Sequence, residues 1–217
     1  MTGPDMMAFL ATRRSRRSFT PRALPRDLLE RLLEAAITAP SSSNRQPWRF
    51  AVVTAAARRA AIVDAVRRRT EVLKDIIRRG HHGDDFGNYG DFFFEPLETA
   101  AAIVIPQHRD YPDLMAQLVA SGGGDASAYT TPAAMPAEVC STSAAVMALL
   151  LQAHAEGLGA CWMAGPTVAR ADIEGLLDIR PPWHMLGAIA LGWPEGDPPA
   201  PGRKPLDRVV TWFEEPT

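Results

Sequence analysis

The ten residues 39–48 read APSSSNRQPW and form a polar stretch between two apolar segments. Serine, asparagine and glutamine side chains crowd a turn that ends at Pro47 and Trp48, and such short polar side chains hydrogen-bond to nearby backbone and favour turns. The turn is dense in donors and acceptors, which suits the binding of a flat heterocycle. An ordinary capped loop is the alternative interpretation.

Helical and strand patterns surround this turn. Upstream, apolar residues recur at helical spacing from Leu28 to Ile37 and predict a helix that opens at Pro25 and stops at Pro40. Downstream, the run WRFAVVT predicts a strand over 48–54. Further patterns predict helices over 4–13, 58–79, 110–120, 136–155 and 169–177, and strands over 100–107, 159–165, 185–193 and 208–213. The helix after Pro136 is apolar on nearly every face, which predicts a central, buried position.

The order of these elements predicts the fold class. Strands and helices do not alternate regularly, so we expect an α+β fold with a mixed central sheet flanked by helices, in a single domain over 1–217. Residues 81–95 and 121–134 are predicted to be irregular, the second being a loop or lid. The proline-rich residues 194–202 lead into a C-terminal arm that we expect to pack on a partner subunit.

An arginine cluster lies near the N-terminus. The residues 13–19 read RRSRRSF, and four guanidinium groups with two hydroxyls form a strong candidate site for an anion. One alternative is a solvated basic helix end, where cations offset the helix dipole. Another is nucleic-acid binding, which usually also needs aromatic stacking positions; here Phe19 is interpreted as a core residue.

Two further segments complete the candidate site. Residues 157–166 read GLGACWMAGP, and glycines there allow a planar ligand to approach the backbone. Residues 202–205 read GRKP and add a second basic point. We interpret Cys161, which lies in an apolar turn beside Trp162, as a structural thiol.

Composition limits the class of protein. Hydrophobic residues make up 47% of the 217 residues and charged residues 22%, which excludes disorder as the main interpretation. No apolar run is long enough for a membrane span, and two cysteines without a secretory pattern predict a reduced, cytoplasmic protein. Residues 1–79 hold 17 of the 23 Lys and Arg but 7 of the 25 Asp and Glu, and this basic third favours an anionic ligand.

Several motifs of other enzymes are missing from the sequence. It contains neither a Walker-type phosphate loop nor a Rossmann glycine pattern, and no Ser lies in a nucleophile elbow. His81 and His82 are adjacent and make a poor metal pair, so no metal site is predicted. His108, His154 and His184 have no evident acid or nucleophile partner in the sequence.

Taken together, the four segments resemble the FMN-dependent nitroreductase family over nearly the whole chain, with 81–135 matching least. The resemblance implies a homodimer with FMN at the subunit interface and no catalytic side chain, because the flavin carries the chemistry. It implies a ping-pong reaction in which NAD(P)H gives a hydride to flavin N5, and a nitroaromatic, quinone or other conjugated electrophile then takes it.

The resemblance also assigns the cofactor-binding residues. Arg13, Arg14, Ser15, Arg17 and Arg203 would contact the phosphate, the ribityl chain and the pyrimidine edge. The other subunit would supply Pro40, Ser41, Ser42, Ser43, Asn44 and Gln46. Met163, Ala164 and Gly165 would line the flavin ring, with a backbone N–H donating to N5. Ala164 stands where some members carry Glu, and Ala148 where many carry Asn.

Two alternatives remain open from the sequence. The first is a specialised flavin reaction on the same fold, such as dehydrogenation or desaturation of a biosynthetic molecule, dehalogenation or consumption of the flavin. The retained PSSSNRQPW stretch favours the ordinary reductase. The second is a polyanion-binding module without catalysis, which the nearly neutral net charge of −2 disfavours. No nucleic-acid or membrane partner is predicted.

Overall fold

The structure, a computed structural model, describes residues 2–80, 89–129 and 136–214. The described helices are α1 (Gly3–Thr12), α2 (Arg26–Ile37), α3 (Ala56–Arg79), α4 (Glu95–Glu98), α5 (Leu114–Ser121), α6 (Ala137–Ala155) and α7 (Arg170–Leu176). The strands are β1 (Trp48–Val53), β2 (Ala102–Arg109), β3 (Gly159–Met163), β4 (Trp183–Met185) and β5 (Ala188–Gly192). The predicted α+β class is confirmed. His81, His82 and the ends of both predicted irregular segments lie outside the described residues.

The five strands form one sheet in the order β1-β2-β5-β3, with β4 paired to β2. Every pairing between these strands is antiparallel, so the mixed character that we expected is reduced to one isolated parallel bridge between Ser15 and Ala160. That bridge comes from the segment after α1, which runs beside β3. It therefore ties the arginine cluster to the sheet.

Helices cover both faces of the sheet. On one face α3 buries Ile62 and Val66 against β2 residues such as Ile103. On the other face α2 and α6 bury Leu32 and Leu149. The prediction of a wholly buried α6 holds for one side of the helix only, because Cys140 and Met147 are exposed.

Two predicted strands differ from the structure. The strand predicted over 185–193 is two strands, because Gly187 adopts a positive φ of 81° and its backbone lies against the carbonyl oxygen of Met163. The strand predicted over 208–213 is wrong. A 3-10 turn, Leu206–Arg208, is followed by irregular chain, and no described strand pairs with these residues. Residues 208–213 read RVVTWF, and periodicity alone cannot assign so short an apolar run to a strand.

Candidate functional site

The arginine cluster begins where α1 ends, and backbone hydrogen bonds hold it against the sheet. The Arg16 N–H donates to the Ala160 carbonyl at 3.0 Å, and the Thr20 N–H donates to the Trp193 carbonyl at 2.9 Å. Phe19 is buried between these two points, as predicted. The segment therefore has a fixed position beside the first residues of β3.

Two glycines make room for the Phe19 ring. A Cβ on Gly192 would lie 2.9 Å from a ring atom of Phe19, and one on Gly159 would lie 3.0 Å from another. Cβ atoms essentially never approach other atoms closer than 3.0 Å, so a side chain at Gly192 would displace the ring, and one at Gly159 would press against it. The close packing of Phe19 keeps the neighbouring arginines in register with β3.

The arginines line a cavity of about 210 Å³. The lining residues come from both ends of the chain: Arg13, Arg14, Ser15, Arg17, Pro198, Pro199, Pro201 and Arg203. Arg16 is not among them; it pairs instead with Asp197 at 2.7 Å. The fold thus brings Arg203 to the N-terminal cluster, as the resemblance implied.

The charge of this cavity is not balanced. Among the described residues, no carboxylate forms an ion pair with Arg13, Arg14, Arg17 or Arg203. Clustered like charges repel one another, and guanidinium groups match phosphate and carboxylate geometry. The arrangement therefore suits a ligand with a doubly charged anionic group.

The arginine cluster lies near two other titratable groups. Burial raises the pKa of the Cys161 thiol, and the charges of Arg17 and Arg13 oppose this increase. Burial and then the charge of Arg13 lower the pKa of His154, whose ring contacts Phe9. Cys161 is 2% exposed, which agrees with its interpretation as a structural thiol.

The polar turn lies elsewhere on the chain, against the start of α6. The Ser42 N–H donates to the Ser141 hydroxyl at 3.2 Å, and the Gln46 N–H donates to the Ser41 hydroxyl at 3.0 Å. The side chains of Ser42, Ser43, Asn44 and Gln46 are exposed, and so is Pro40. This surface presents hydroxyl and amide groups that the fold itself uses only in part.

Three residues of this turn have backbones in the left-handed region: Ser43 (φ 52°), Asn44 (φ 51°) and Gln46 (φ 48°). Residues other than glycine adopt this region at a cost, and such strain clusters at functional sites. An ordinary capped loop has no reason to place three strained residues within four positions. This geometry therefore favours the functional interpretation of the turn.

Met163 is the last residue of β3, and Ala164 and Gly165 follow it. Ala164 is exposed, and its carbonyl accepts a hydrogen bond from the Thr167 N–H at 2.9 Å. Met163 is three residues beyond Ala160, so about 10 Å of strand separates it from the bridge to Ser15. The sheet thus places these residues at a distance from the arginine cavity that a single elongated ligand can span.

Not all predicted site residues meet within one chain. The arginine cavity contains neither residues 40–46 nor residues 163–165 among its lining. The lining of the arginine cavity also includes Pro198, Pro199 and Pro201. The sequence indicated only an extended connecting segment there. Their proline density was the available signal, since proline forms stiff extended chain.

The structure places one carboxylate close to two histidines for which the sequence showed no partner, although His108 Nδ1 forms no hydrogen bond within the described chain. The Asp110 carboxylate lies 3.2 Å from His108 Nδ1 and 3.1 Å from His184 Nε2. Burial lowers the pKa of His108, while Asp110 raises it. No cluster of three or more potential metal ligands is found among residues 2–80, 89–129 and 136–214.

Comparison with known proteins identifies the family. The model of the nitroreductase family matches residues 10–193, and the chain belongs to this family, whose members are flavin oxidoreductases. None of the helices in the described ranges combines the length and apolar character needed to cross a bilayer.

Two curated relatives are similar to this chain in sequence, and one solved structure is similar to it in fold. The 5,6-dimethylbenzimidazole synthase of Rhodospirillum rubrum is 27% identical over 195 residues, which cover 89% of this chain and 84% of the relative. An NADH dehydrogenase of Thermus thermophilus is 28% identical over 216 residues, covering 92% of both chains. The fold is similar to that of a BluB-like flavoprotein from Clostridium difficile 630, with a TM-score of 0.85 at 20% identity over 96% of this chain and 99% of that one.

Proposed function

We propose that this protein is an FMN-dependent oxidoreductase that takes electrons from NAD(P)H and delivers them to a nitroaromatic, a quinone or another conjugated electrophile. The observation that carries the proposal is the cavity in which Arg13, Arg14, Arg17 and Arg203 converge without a described carboxylate partner. Membership of a family of flavin oxidoreductases and the similarity to an NADH dehydrogenase support it.

The residues of the cavity fit the phosphate end of FMN. Guanidinium groups bind a phosphate dianion through paired, charge-assisted hydrogen bonds, and Ser15 adds a hydroxyl. Arg13, Arg14, Ser15, Arg17 and Arg203 would hold the cofactor at this end. When bound, a flavin accepts a hydride from a nicotinamide and passes it to an acceptor, so the protein itself needs no nucleophile.

The other predicted residues would position the ring system. Met163, Ala164 and Gly165 would lie along the ring, with a backbone N–H of this turn directed at it. Pro40, Ser41, Ser42, Ser43, Asn44 and Gln46 would approach it from the partner subunit. This assignment agrees with the exposure of the polar turn and with its absence from the arginine cavity of its own chain.

The phosphate assignment predicts that the double variant Arg13→Ala with Arg203→Ala purifies without flavin. Each lost charge-assisted hydrogen bond removes roughly 1.5–3 kcal/mol, so FMN affinity falls about a hundredfold or more. Flavin absorbance of the purified protein and fluorescence titration with FMN measure the change.

A matched control removes the same amount of positive charge from residues outside the cavity. Arg26→Ala with Arg58→Ala removes two exposed arginines that lie neither in the cavity lining nor in the C-terminal arm. We expect this control to stay yellow. Stoichiometric FMN in the Arg13/Arg203 variant would contradict the assignment.

We also propose a cytoplasmic homodimer. Met6, Met7 and Leu10 of α1 are exposed, and the tail exposes Trp212 and Phe213. Exposed apolar groups of this size mark interaction surfaces. A second copy of the chain would cover them and bring its polar turn to the flavin. The two free cysteines agree with a reducing compartment.

The tail contact predicts that Trp212→Ser with Phe213→Ser shifts the protein toward monomer and lowers its flavin content. Multi-angle light scattering across a dilution series measures the state. Val72→Ser with Ile76→Ser removes two exposed apolar side chains from α3, 54% and 53% exposed, and serves as the control. A tail variant that stays dimeric at every concentration would argue against this contact.

The alternative is a specialised flavin reaction, as in 5,6-dimethylbenzimidazole synthase. The specific observations in its favour are the similarity to that enzyme and the TM-score of 0.85 to the BluB-like flavoprotein. Anaerobic titration of the flavin-loaded protein with NADH and then NADPH separates the two functions. Bleaching at stoichiometry followed by recovery with an added acceptor supports the reductase, whereas loss of the flavin itself in air supports the alternative.

A further inference from the structure

A second cavity, of about 580 Å³, lies at the β1–β2–β4 end of the sheet. Its walls include two arginines, an aspartate, a glutamine and apolar groups, among them Arg49, Gln107, Asp178, Ile179, Arg180, Pro182 and Trp183. It shares no lining residue with the arginine cavity near the N-terminus. Its volume falls within the range of small-molecule sites, roughly 300–1,000 Å³.

The floor of this cavity contains a buried amide. Gln107 is 7% exposed, and among the described residues its side chain neither donates nor accepts a hydrogen bond. The residue is buried as a whole, but its amide atoms still reach the cavity, because they are not fully enclosed by protein. Because the amide lines the cavity, a bound molecule can supply the missing partner.

An arginine on the neighbouring strand lies opposite Gln107 in the strand register. Arg49 on β1 is paired in register with Gln107 on β2, and residues directly opposite in an antiparallel pair have Cβ atoms about 5 Å apart on the same face. The Arg49 guanidinium stacks on the Trp183 ring at 4.1 Å from its centre. No described carboxylate forms an ion pair with Arg49, whereas Arg180 is neutralised by Asp178 at 2.8 Å.

We propose that this cavity binds a small planar carboxylate, such as an aromatic acid, at a site separate from the flavin. The Arg49 guanidinium and the Gln107 amide supply donors to the two carboxylate oxygens from adjacent strands. The Trp183, Ile179 and Pro182 side chains flank the planar part of the ligand. The single unpaired cation matches a ligand with one negative charge.

Titration of the purified, flavin-containing protein with benzoate tests the proposal. Tryptophan fluorescence and flavin absorbance are recorded together. We expect saturable binding that changes the tryptophan signal and leaves the flavin spectrum unchanged. Arg49→Met weakens benzoate binding about tenfold or more, and Gln107→Met weakens it in the same direction, with flavin content unchanged in both variants.

The chain offers a matched control in Arg22, which stacks on Trp193 at 3.9 Å but lines neither cavity. Arg22→Met should leave benzoate affinity unchanged. Three results would overturn the proposal: no saturable binding, binding that Arg49→Met does not weaken, or binding that perturbs the flavin spectrum. Equal, Arg49-dependent binding of sulfate would overturn the planar class of ligand.

Discussion

Gly165 belongs to a segment interpreted as part of the ligand site, but its lack of a side chain is also required for packing. The sequence suggested that this glycine allows a planar ligand to approach the backbone. In the structure a Cβ at this position would lie 2.1 Å from Cδ1 of Phe93, so the ring itself occupies the space that a side chain would need. Phe93 is buried in the core cluster next to α3. Packing against Phe93 alone therefore requires glycine at position 165, whether or not a ligand binds there.

This contact predicts that Gly165→Ala destabilises the protein by about 1–3 kcal/mol through overpacking. Gly175→Ala is the control, because a Cβ there meets no atom within 4 Å and alanine favours the helix. Urea unfolding measures both. A double variant with Phe93→Leu should recover part of the Gly165→Ala loss, and strict additivity of the two changes would refute the proposed clash.

The polar turn between α2 and β1 is stabilised by a hydrogen bond to another element, the helix α6. Ser141 on α6 accepts a hydrogen bond from the Ser42 backbone, and the left-handed residues follow directly. The strain is thus maintained by packing on a helix almost a hundred residues away in the sequence. A turn fixed in this way can present its hydroxyl and amide groups to a ligand without further ordering.

The left-handed backbone at Ser43 predicts that Ser43→Val destabilises the protein by roughly 1–2 kcal/mol, since a β-branched residue tolerates positive φ poorly. Ser42 is also exposed but lies outside the left-handed region, so Ser42→Val is the matched control and should change stability by less than about 0.5 kcal/mol. Thermal and urea unfolding report the difference. Equal effects of the two substitutions would contradict the strained conformation.

At the scale of the whole molecule, two partly buried histidines connect stability to pH. Burial lowers the pKa of His108 and of His154 below the ordinary value of 6.5. The unfolded chain therefore binds protons at these positions more readily than the folded chain. Above pH 6.5 both histidines are neutral in either state and do not reduce the free energy of unfolding. As the pH falls from 6.5 through the pKa values of the folded state, the free energy of unfolding decreases.

We expect the free energy of unfolding to decrease between about pH 7 and pH 5, and His108→Gln to make this decrease smaller. Carboxyl groups with lowered pKa, such as those of Glu156 and Asp172, titrate below their ordinary values of 4.5 and 3.8 and so outside this window. Urea unfolding at a series of pH values measures the slope. An increase in stability toward pH 5 would mean that Asp110 outweighs burial at His108.

The sequence alone predicted most of the elements, because helical and alternating patterns are local. The periodicity in 28–37 located α2, and the apolar run near 102 located β2 to within two residues at each end. Local patterns could not show that Gly187 divides one predicted strand into two, since the bend depends on contact with Met163. Nor could they show that 208–213 finds no strand partner within the described chain.

Residue type and spacing along the chain were enough to identify the family, and they marked the basic and polar segments that form the candidate site. The arginines of 13–17 and the polar turn at 39–48 are visible without coordinates. The packing of the chain was needed to show that Arg203 joins Arg13 while the polar turn does not, and that the Asp110 carboxylate lies near both His108 and His184. Such meetings depend on how helices and strands pack, because burial of the apolar faces fixes which distant residues become neighbours.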